Sequence, residues 1–406
     1  MHFFFILGNH PELSKAEMSM AAHQRGVTLS PLHVKGRVCI VESSSPFELK
    51  PFMDALGGVT KCGEILEELP VHGESRAEVI NQFLERTPLE GLLMHAPGKR
   101  TVFGFSVYPM NRDSVPFRLA KNLIRIGVRF KKRVEEQRGS TRFVTSKHHD
   151  LSSVVIGENH VLERGGDICF FVDEERVIVG RTIAVQDYKT FSERDYGRPA
   201  RDARSGMLPP KLARIMVNLA GANPKTATLL DPFCGSGTIV QEALLAGYTT
   251  VIASDISAQA VHDSTHNLRW LANTTPPLGK ARVFQANVQD LATHIPHHSV
   301  DAIVTEPYLG PPLRGNEKES VIHKNIQNLE KIYAGARDVF RQLLRPGGRL
   351  VMVMPVFALH GKTLQPHLAW DGFRDVSFPS WIDTRQFVYA REDQFVRRSI
   401  LIKEKH

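Results

Sequence analysis

Leu229-Leu-Asp-Pro-Phe-Cys-Gly-Ser-Gly-Thr-Ile-Val-Gln-Glu-Ala-Leu-Leu-Ala-Gly247 reads as a strand, a glycine turn and a helix in succession. A short apolar run stops at an acid, two glycines follow, and an apolar helical pattern opens. This is the first βα unit of a doubly wound parallel sheet. A dinucleotide fingerprint would place a third glycine where Val240 stands, and a phosphate-cradling loop would place Lys where Thr238 stands. The turn therefore brings backbone close to a ligand without marking a pyrophosphate or a triphosphate. Asp231, at the strand end, suits a cationic group such as an α-ammonium. Asp255 ends the next strand, about 20 residues past the turn, where a carboxylate can take both ribose hydroxyls. With Pro232, Cys234, Gly235 and Gly237 in the turn and Ile256 after the second acid, these residues describe a pocket for a nucleoside with an amino-acid tail, S-adenosyl-L-methionine.

Downstream, strand patterns alternate with helical ones. The strands are Thr228–Leu230, Thr250–Ser254, Ala281–Gln285, Ala302–Thr305 and Leu350–Met354, and the helices Ile239–Ala246, Ala258–Asn273 and Glu319–Leu344. That alternation implies a parallel sheet with helices on both faces. Asn287 follows the third strand, where a polar side chain can address an adenine amine; an asparagine there can equally cap its own turn. Thr305-Glu306-Pro307-Tyr308 closes the fourth strand. Carboxylate and carbonyl acceptors can orient the N–H bonds of a weakly nucleophilic exocyclic amine, and Tyr308 can stack on a flat base. This stretch holds no cysteine, which removes the covalent route of C5-pyrimidine methylation. Leu344-Arg-Pro-Gly-Gly-Arg-Leu350 ends a helix and feeds the next strand, an architectural turn.

Upstream, the segment from Phe117 to Gln137 shows helical periodicity. Leu119, Leu123, Ile126, Phe130 and Val134 share one face, and Arg118, Lys121, Arg125, Arg129 and Lys132 another. No acid interleaves this stripe before Glu135 and Glu136, so it reads as a contact for a nucleic-acid backbone. The whole chain carries a net charge of +8 over 406 residues, a balance that favours a polyanionic partner. Strands are expected at Thr141–Thr145, Ser153–Ile156, Asp167–Val172 and Val177–Ala184. Residues 186–210 are polar and Arg-rich (Arg194, Arg198, Arg201, Arg204) and read as a linker. Four cysteines without a CxxC pair argue for a reducing compartment and against a structural zinc site. The apolar run Phe3–Leu7 is too short for a membrane span and lacks the basic flank of a signal peptide, so it reads as a buried strand of a cytoplasmic protein.

Asp231-Pro-Phe-Cys-Gly-Ser-Gly-Thr, the Arg/Pro-rich stretch 194–210 with its following helix, and Thr305-Glu-Pro-Tyr resemble the THUMP-domain tRNA guanine-N2 methyltransferases, which act on guanosine at position 10. The resemblance covers about residues 70–360. It implies an α/β architecture: a Rossmann-like S-adenosylmethionine-dependent methyltransferase domain preceded by an α+β THUMP/ferredoxin-like RNA-binding region. The corresponding division is 1–65 cap, 66–185 THUMP-like domain, 186–210 linker and 211–406 catalytic domain. It further implies tRNA as partner, no membrane and no metal, a monomer, and room for a small activator subunit. Asp231, Gly235 and Gly237 would hold the methionine part of the cofactor, Asp255 the ribose and Asn287 the adenine. Glu306, Pro307 and Tyr308 would form the target-base corner. The family's corner is Asp-Pro-Pro-Tyr; here one proline is missing and either Thr305 or Glu306 stands in the acid's place. Guanine-N2 methylation of ribosomal RNA, amine methylation of DNA, and a non-catalytic RNA-binding subunit are the rival readings.

Overall fold

The computed structural model describes residues 1–111, 117–201, 207–275, 279–359, 361–390 and 394–406. Two compact units emerge. The first comprises residues 1–11, 27–55 and 59–188, and the second residues 12–26, 56–58 and 189–406.

The first unit is built on one eight-stranded sheet. Its strands are β1 (His2–Leu7), β2 (Leu29–Lys35), β3 (Val38–Ser43), β4 (Val59–Pro70), β5 (Thr101–Pro109), β6 (Thr141–Val144), β7 (Gly165–Val172) and β8 (Arg176–Val185), in the order β2-β3-β1-β4-β8-β7-β5-β6. β1 is central, paired with β3 and β4, which is why Phe3–Leu7 is apolar throughout. β4 pairs with β1 on one side and β8 on the other. The 65/66 boundary drawn from the sequence therefore lies inside a strand shared by both halves of the sheet.

Four of these strands meet around a buried polar cluster. Lys61 on β4 donates to Asp167 on β7 at 2.6 Å and to Ser106 on β5 at 3.0 Å. The Ser106 hydroxyl donates to Asp167 at 2.7 Å, and Thr182 on β8 does so at 2.7 Å. Lys61 is 2% exposed and Asp167 wholly buried. Burial alone would lower the Lys61 pKa, but the Asp167 carboxylate beside it holds it well above the usual lysine value.

Ser153–Ile156, expected as a strand from its β-branched run, is helical as part of Ser153–Glu158. The Ser152 hydroxyl accepts from the Val155 N–H at 3.3 Å and caps this short helix. The cap overrides β-propensity.

The second unit carries the sheet predicted downstream. Its strands are β9 (Thr228–Asp231), β10 (Thr250–Asp255), β11 (Lys280–Gln285), β12 (Val300–Thr305), β13 (Leu344–Leu359), β14 (Lys362–Leu364), β15 (Phe373–Asp375), β16 (Val388–Tyr389) and β17 (Val396–Lys405). The main order is β11-β10-β9-β12-β13-β17-β15. The first five run parallel, and β17 is antiparallel to β13 and β15. Alternation along each strand feeds two cores. Leu229, Ala302, Val304, Val351 and Val353 pack on one face with the helices Pro210–Leu219 and Thr238–Leu245. Leu230, Ile303, Leu350 and Met352 pack on the other with the helix Glu319–Leu343. The Pro-Gly-Gly turn after Leu344 is a bulge in β13: Val300 pairs with Leu344, whereas Ala302 pairs with Arg349.

Most of the helix Pro11–His23 belongs to this second unit. Leu13 and Ala16 lie in its core. Glu17, fully buried, accepts from the N–H groups of Gly57 and Gly58 at 2.7 Å each and from Asn218 at 2.7 Å. Burial pushes its carboxyl up to about 7 against the pull of these donors.

Candidate active site

The strand order reverses between β9 and β12, and ligands of such sheets sit beyond the strand ends at that point. Asp231 ends β9 and Thr305 ends β12, and the Thr305 hydroxyl donates to Asp231 Oδ1 at 2.8 Å. Asp231 is 1% exposed. Burial pushes its carboxyl up to about 7, opposed by Thr305 and the Phe233 N–H and reinforced by Asp255 and Glu306. Among the described residues no cation pairs with it. A buried carboxyl of this kind matches a ligand ammonium, which would return it to the ionised form.

Past Pro232 the chain makes its glycine turn. The Cys234 N–H donates to Ser254 O at 2.9 Å and the Gly237 N–H to Cys234 O at 2.8 Å. Asp255, ending β10, braces the turn: Oδ2 accepts from the Gly235 N–H at 3.0 Å and Oδ1 from the Ser257 N–H at 2.9 Å. Gly235 has φ +49° and a Cβ there would meet nothing within 4 Å, so the space beside it is open. Gly237 has φ +83° and a Cβ there would stand 2.5 Å from Ser264 Oγ. Gly237→Ala is expected to destabilise the second unit by about 1–3 kcal/mol through backbone strain. Denaturant unfolding checks it, and an unchanged midpoint would refute it. The Cys234 thiol is 5% exposed, and burial with two nearby carboxylates drives its pKa up, so it stays a thiol. Ile256 is 66% exposed and offers an apolar surface after Asp255. The Asn287 side-chain Oδ1 accepts from the Gln289 N–H at 3.1 Å and caps the turn Val288–Thr293.

The corner divides its two candidate acceptors. Thr305 is buried against Asp231. Glu306, the next residue, turns the other way and pairs with Arg398 of β17, its Oε1 accepting from Arg398 Nε at 2.5 Å. Burial raises the Glu306 pKa and Arg398 opposes that rise. Pro307 is buried, while Tyr308 is 56% exposed and free to present its ring. The Tyr308 carbonyl accepts from the Tyr333 hydroxyl at 2.7 Å, so the long helix Glu319–Leu343 fixes the corner's backbone.

Arg398 and Asn267 carry no signal in the linear sequence, and Arg198 is marked there only as part of the Arg-rich stretch. Arg398 stands 92 positions from Glu306. Asn267, fully buried, accepts from the Ala200 N–H at 2.9 Å and donates to Ala200 O at 2.9 Å and Ser236 O at 2.8 Å. It thereby ties the Arg-rich stretch to the glycine turn. Arg198 is 2% exposed and donates to the Thr238 hydroxyl at 2.6 Å and Met207 Sδ at 3.1 Å. Its Nε has no partner among the described residues. A buried guanidinium at the start of the helix Thr238–Leu245 fits a carboxylate. Arg198 and Asp231 together thus match the two charges of an amino-acid tail. Arg194 and Arg214 have structural roles, holding the buried Glu242 at 2.6 and 2.9 Å. Arg204 lies outside the described residues. Among the described residues no three His, Cys, Asp or Glu side chains gather as a metal site requires.

In the first unit, the helix Phe117–Arg138 presents Arg118, Lys121, Arg125, Arg129 and Lys132 to solvent. None of the five has an ion pair among the described residues. Leu119, Leu123, Ile126, Phe130 and Val134 are buried at 5% exposure or less. No described helix is long and apolar enough to cross a membrane.

Residues 198–364 match the family UPF0020, described as RMKL-like, methyltransferase domain. The chain is 33% identical over 182 residues to a tRNA (guanine(10)-N2)-dimethyltransferase of Methanothermobacter thermautotrophicus, covering 45% of this chain and 48% of that one. It is 33% identical over 167 residues to a tRNA (guanine(6)-N2)-methyltransferase of Thermus thermophilus, covering 41% and 45%. The chain thus spans about half the length of the curated relatives it matches. TrmN from Thermus thermophilus shares its fold over 100% of both chains, with a TM-score of 0.57 at 18% identity. The matched segment, residues 198–364, is the one that carries the glycine turn, Asp255 and the Glu306 corner.

Proposed function

We propose that the chain is an S-adenosylmethionine-dependent methyltransferase of the exocyclic N2 amine of a guanosine in tRNA, with position 10 as the target. The observation that carries this reading is the juxtaposition, at one switch point, of the Asp231 turn with the Thr305-Glu306-Pro307-Tyr308 corner. The names of the relatives support it. When bound, S-adenosylmethionine supplies a methyl group on a sulfonium, open to in-line attack by an amine. Asp231 and Arg198 would take the ends of its amino-acid tail, Gly235 would let it approach the backbone, Asp255 would hold the ribose, and Ile256 and Asn287 would flank the adenine.

The chain's own residues then position the base. Tyr308 stacks on the guanine. Glu306 accepts an N–H of the amine through Oε2, which has no hydrogen bond among the described residues, while Oε1 is held by Arg398. As the new C–N bond forms and the bond from the methyl carbon to sulfur breaks, leaving a neutral thioether, the amine sheds one proton to Glu306 or to solvent. Positioning and electrostatics supply the rate. The first unit acts as a THUMP-like grip, with Arg118, Lys121, Arg125, Arg129 and Lys132 on RNA phosphates, and the enzyme works as a cytoplasmic monomer.

The test uses purified protein, labelled S-adenosylmethionine and tRNA or ribosomal RNA fragments, with nucleoside analysis and site mapping. N2-methylguanosine in tRNA is expected. Label in 1-methylguanosine or 5-methylcytidine would overturn the amine chemistry, and label at position 6 or in ribosomal RNA would correct the target. Activity only after adding cell extract would point to an activator subunit. Lys121→Glu with Arg125→Glu should abolish tRNA binding while cofactor affinity stays within about threefold.

A further inference from the structure

We propose that Arg398 is a positioning residue of the methyl-transfer site: its guanidinium keeps Glu306 a carboxylate and leaves one carboxylate oxygen to accept the substrate amine. The inference rests on the amine-methylation reading above and adds a residue that neither the sequence pattern nor the family resemblance marks.

Arg398 lies on β17, opposite Pro355 of β13 and Tyr389 of β16. It is 5% exposed, flanked along the strand by exposed Arg397 and half-buried Ser399. β13 separates β17 from β12 in the sheet, so the Arg398 side chain spans that strand to reach Glu306 just past the end of β12. Burying a guanidinium in this way is costly, and the cost is offset only where a counter-charge meets it. Among the described residues Glu306 supplies such a counter-charge, at 2.5 Å.

The other groups near Glu306 cannot take over the role. Asp231, on β9, is itself an acid, and Glu306 helps to push its carboxyl up. Tyr333, on the helix Glu319–Leu343, spends its hydroxyl on the Tyr308 carbonyl. Tyr308, on the same loop as Glu306, is more than half exposed and carries no cationic group. Arg398 is the one cation paired with Glu306 among the described residues. Without it, burial would favour the neutral acid. A neutral carboxyl presents an O–H donor to an amine that also needs an acceptor, and it cannot receive the departing proton. The ion pair therefore sets the polarity of the corner as well as its geometry.

The test is the pH dependence of single-turnover methyl transfer by Arg398→Met, Arg398→Gln and Glu306→Gln beside the wild-type chain, with cofactor affinity measured by calorimetry. Losing the guanidinium removes the influence that opposes burial. The acid limb of the rate profile should therefore move up by about one pH unit in both Arg398 variants, a tenfold relative loss at the acid end. Cofactor affinity should stay within about threefold. Glu306→Gln should have no such limb. Arg398→Gln keeps the length and a donor without the charge, so it reads the effect even if Arg398→Met fails to fold. A profile superimposable on wild type in a folded variant would overturn the inference. A wild-type chain that methylates no RNA would fail the functional reading instead, and the melting curve then decides. With Glu306 raised above its unfolded value, a variant should lose stability relative to wild type as pH rises from 5 to 8. Parallel melting curves would overturn the role of Arg398 independently of catalysis.

Discussion

Glu306→Ala is expected to lower the rate of methyl transfer by a hundredfold or more, about the contribution of a well-placed proton acceptor. Two losses combine: the amine loses its oriented acceptor, and Arg398 loses its carboxylate. The second loss costs stability, since removing one partner of a buried pair destabilises by about 3–5 kcal/mol. Glu306→Gln separates the two effects. The amide keeps an acceptor oxygen and the side-chain shape, so its rate should fall less, by about tenfold, one pH-unit equivalent of free energy. Single-turnover rates at saturating cofactor, with melting temperatures alongside, check both. A Glu306→Ala enzyme within threefold of wild type would remove Glu306 from the mechanism and shift attention to Thr305, the other candidate for the acid's place in the family's corner.

The second large effect belongs to the first unit. Asp167→Ala should destabilise that unit by about 3–5 kcal/mol, because it leaves the Lys61 ammonium buried without a counter-charge. Ser106 and Thr182 lose an acceptor in the same step. Denaturant unfolding followed by a probe in the first unit should show the shift. Replacing both charges, Lys61→Met with Asp167→Leu, should recover much of it, since apolar side chains of similar volume need no compensation. A single variant as stable as wild type would show that the cluster is hydrated and the pair unimportant.

What could be read in the sequence was what adjacent residues decide. The Asp231 turn, the second acid at Asp255 and the alternation of strands and helices around them follow from spacing within about 30 residues. The cationic and apolar stripes of Phe117–Arg138 follow from helical periodicity alone. The segment Ser153–Ile156 misled because its β-branched run was weighed without the serine that caps it. The 65/66 boundary falls inside β4 because the pairing of that strand with both β1 and β8 depends on partners far along the chain. Arg398 and Asn267 were beyond reach for the same reason. A lone arginine in a C-terminal strand and a lone asparagine in a helix acquire meaning only when the fold brings Glu306 and the glycine turn to them.

The early helix that Glu17 pins has a consequence for how the protein is made. Its partner Asn218 lies 201 residues later in the chain. At about 5–20 residues per second, the helix leaves the ribosome some 10–40 s before that partner is synthesised. Until then its apolar side, with Leu13 and Ala16, has nothing to cover it, and the carboxyl of Glu17 stays in water. The second unit is thus closed by a segment translated well before its partners, so a ribosome that stalls within that window releases a chain whose Pro11–His23 helix is still waiting for its core.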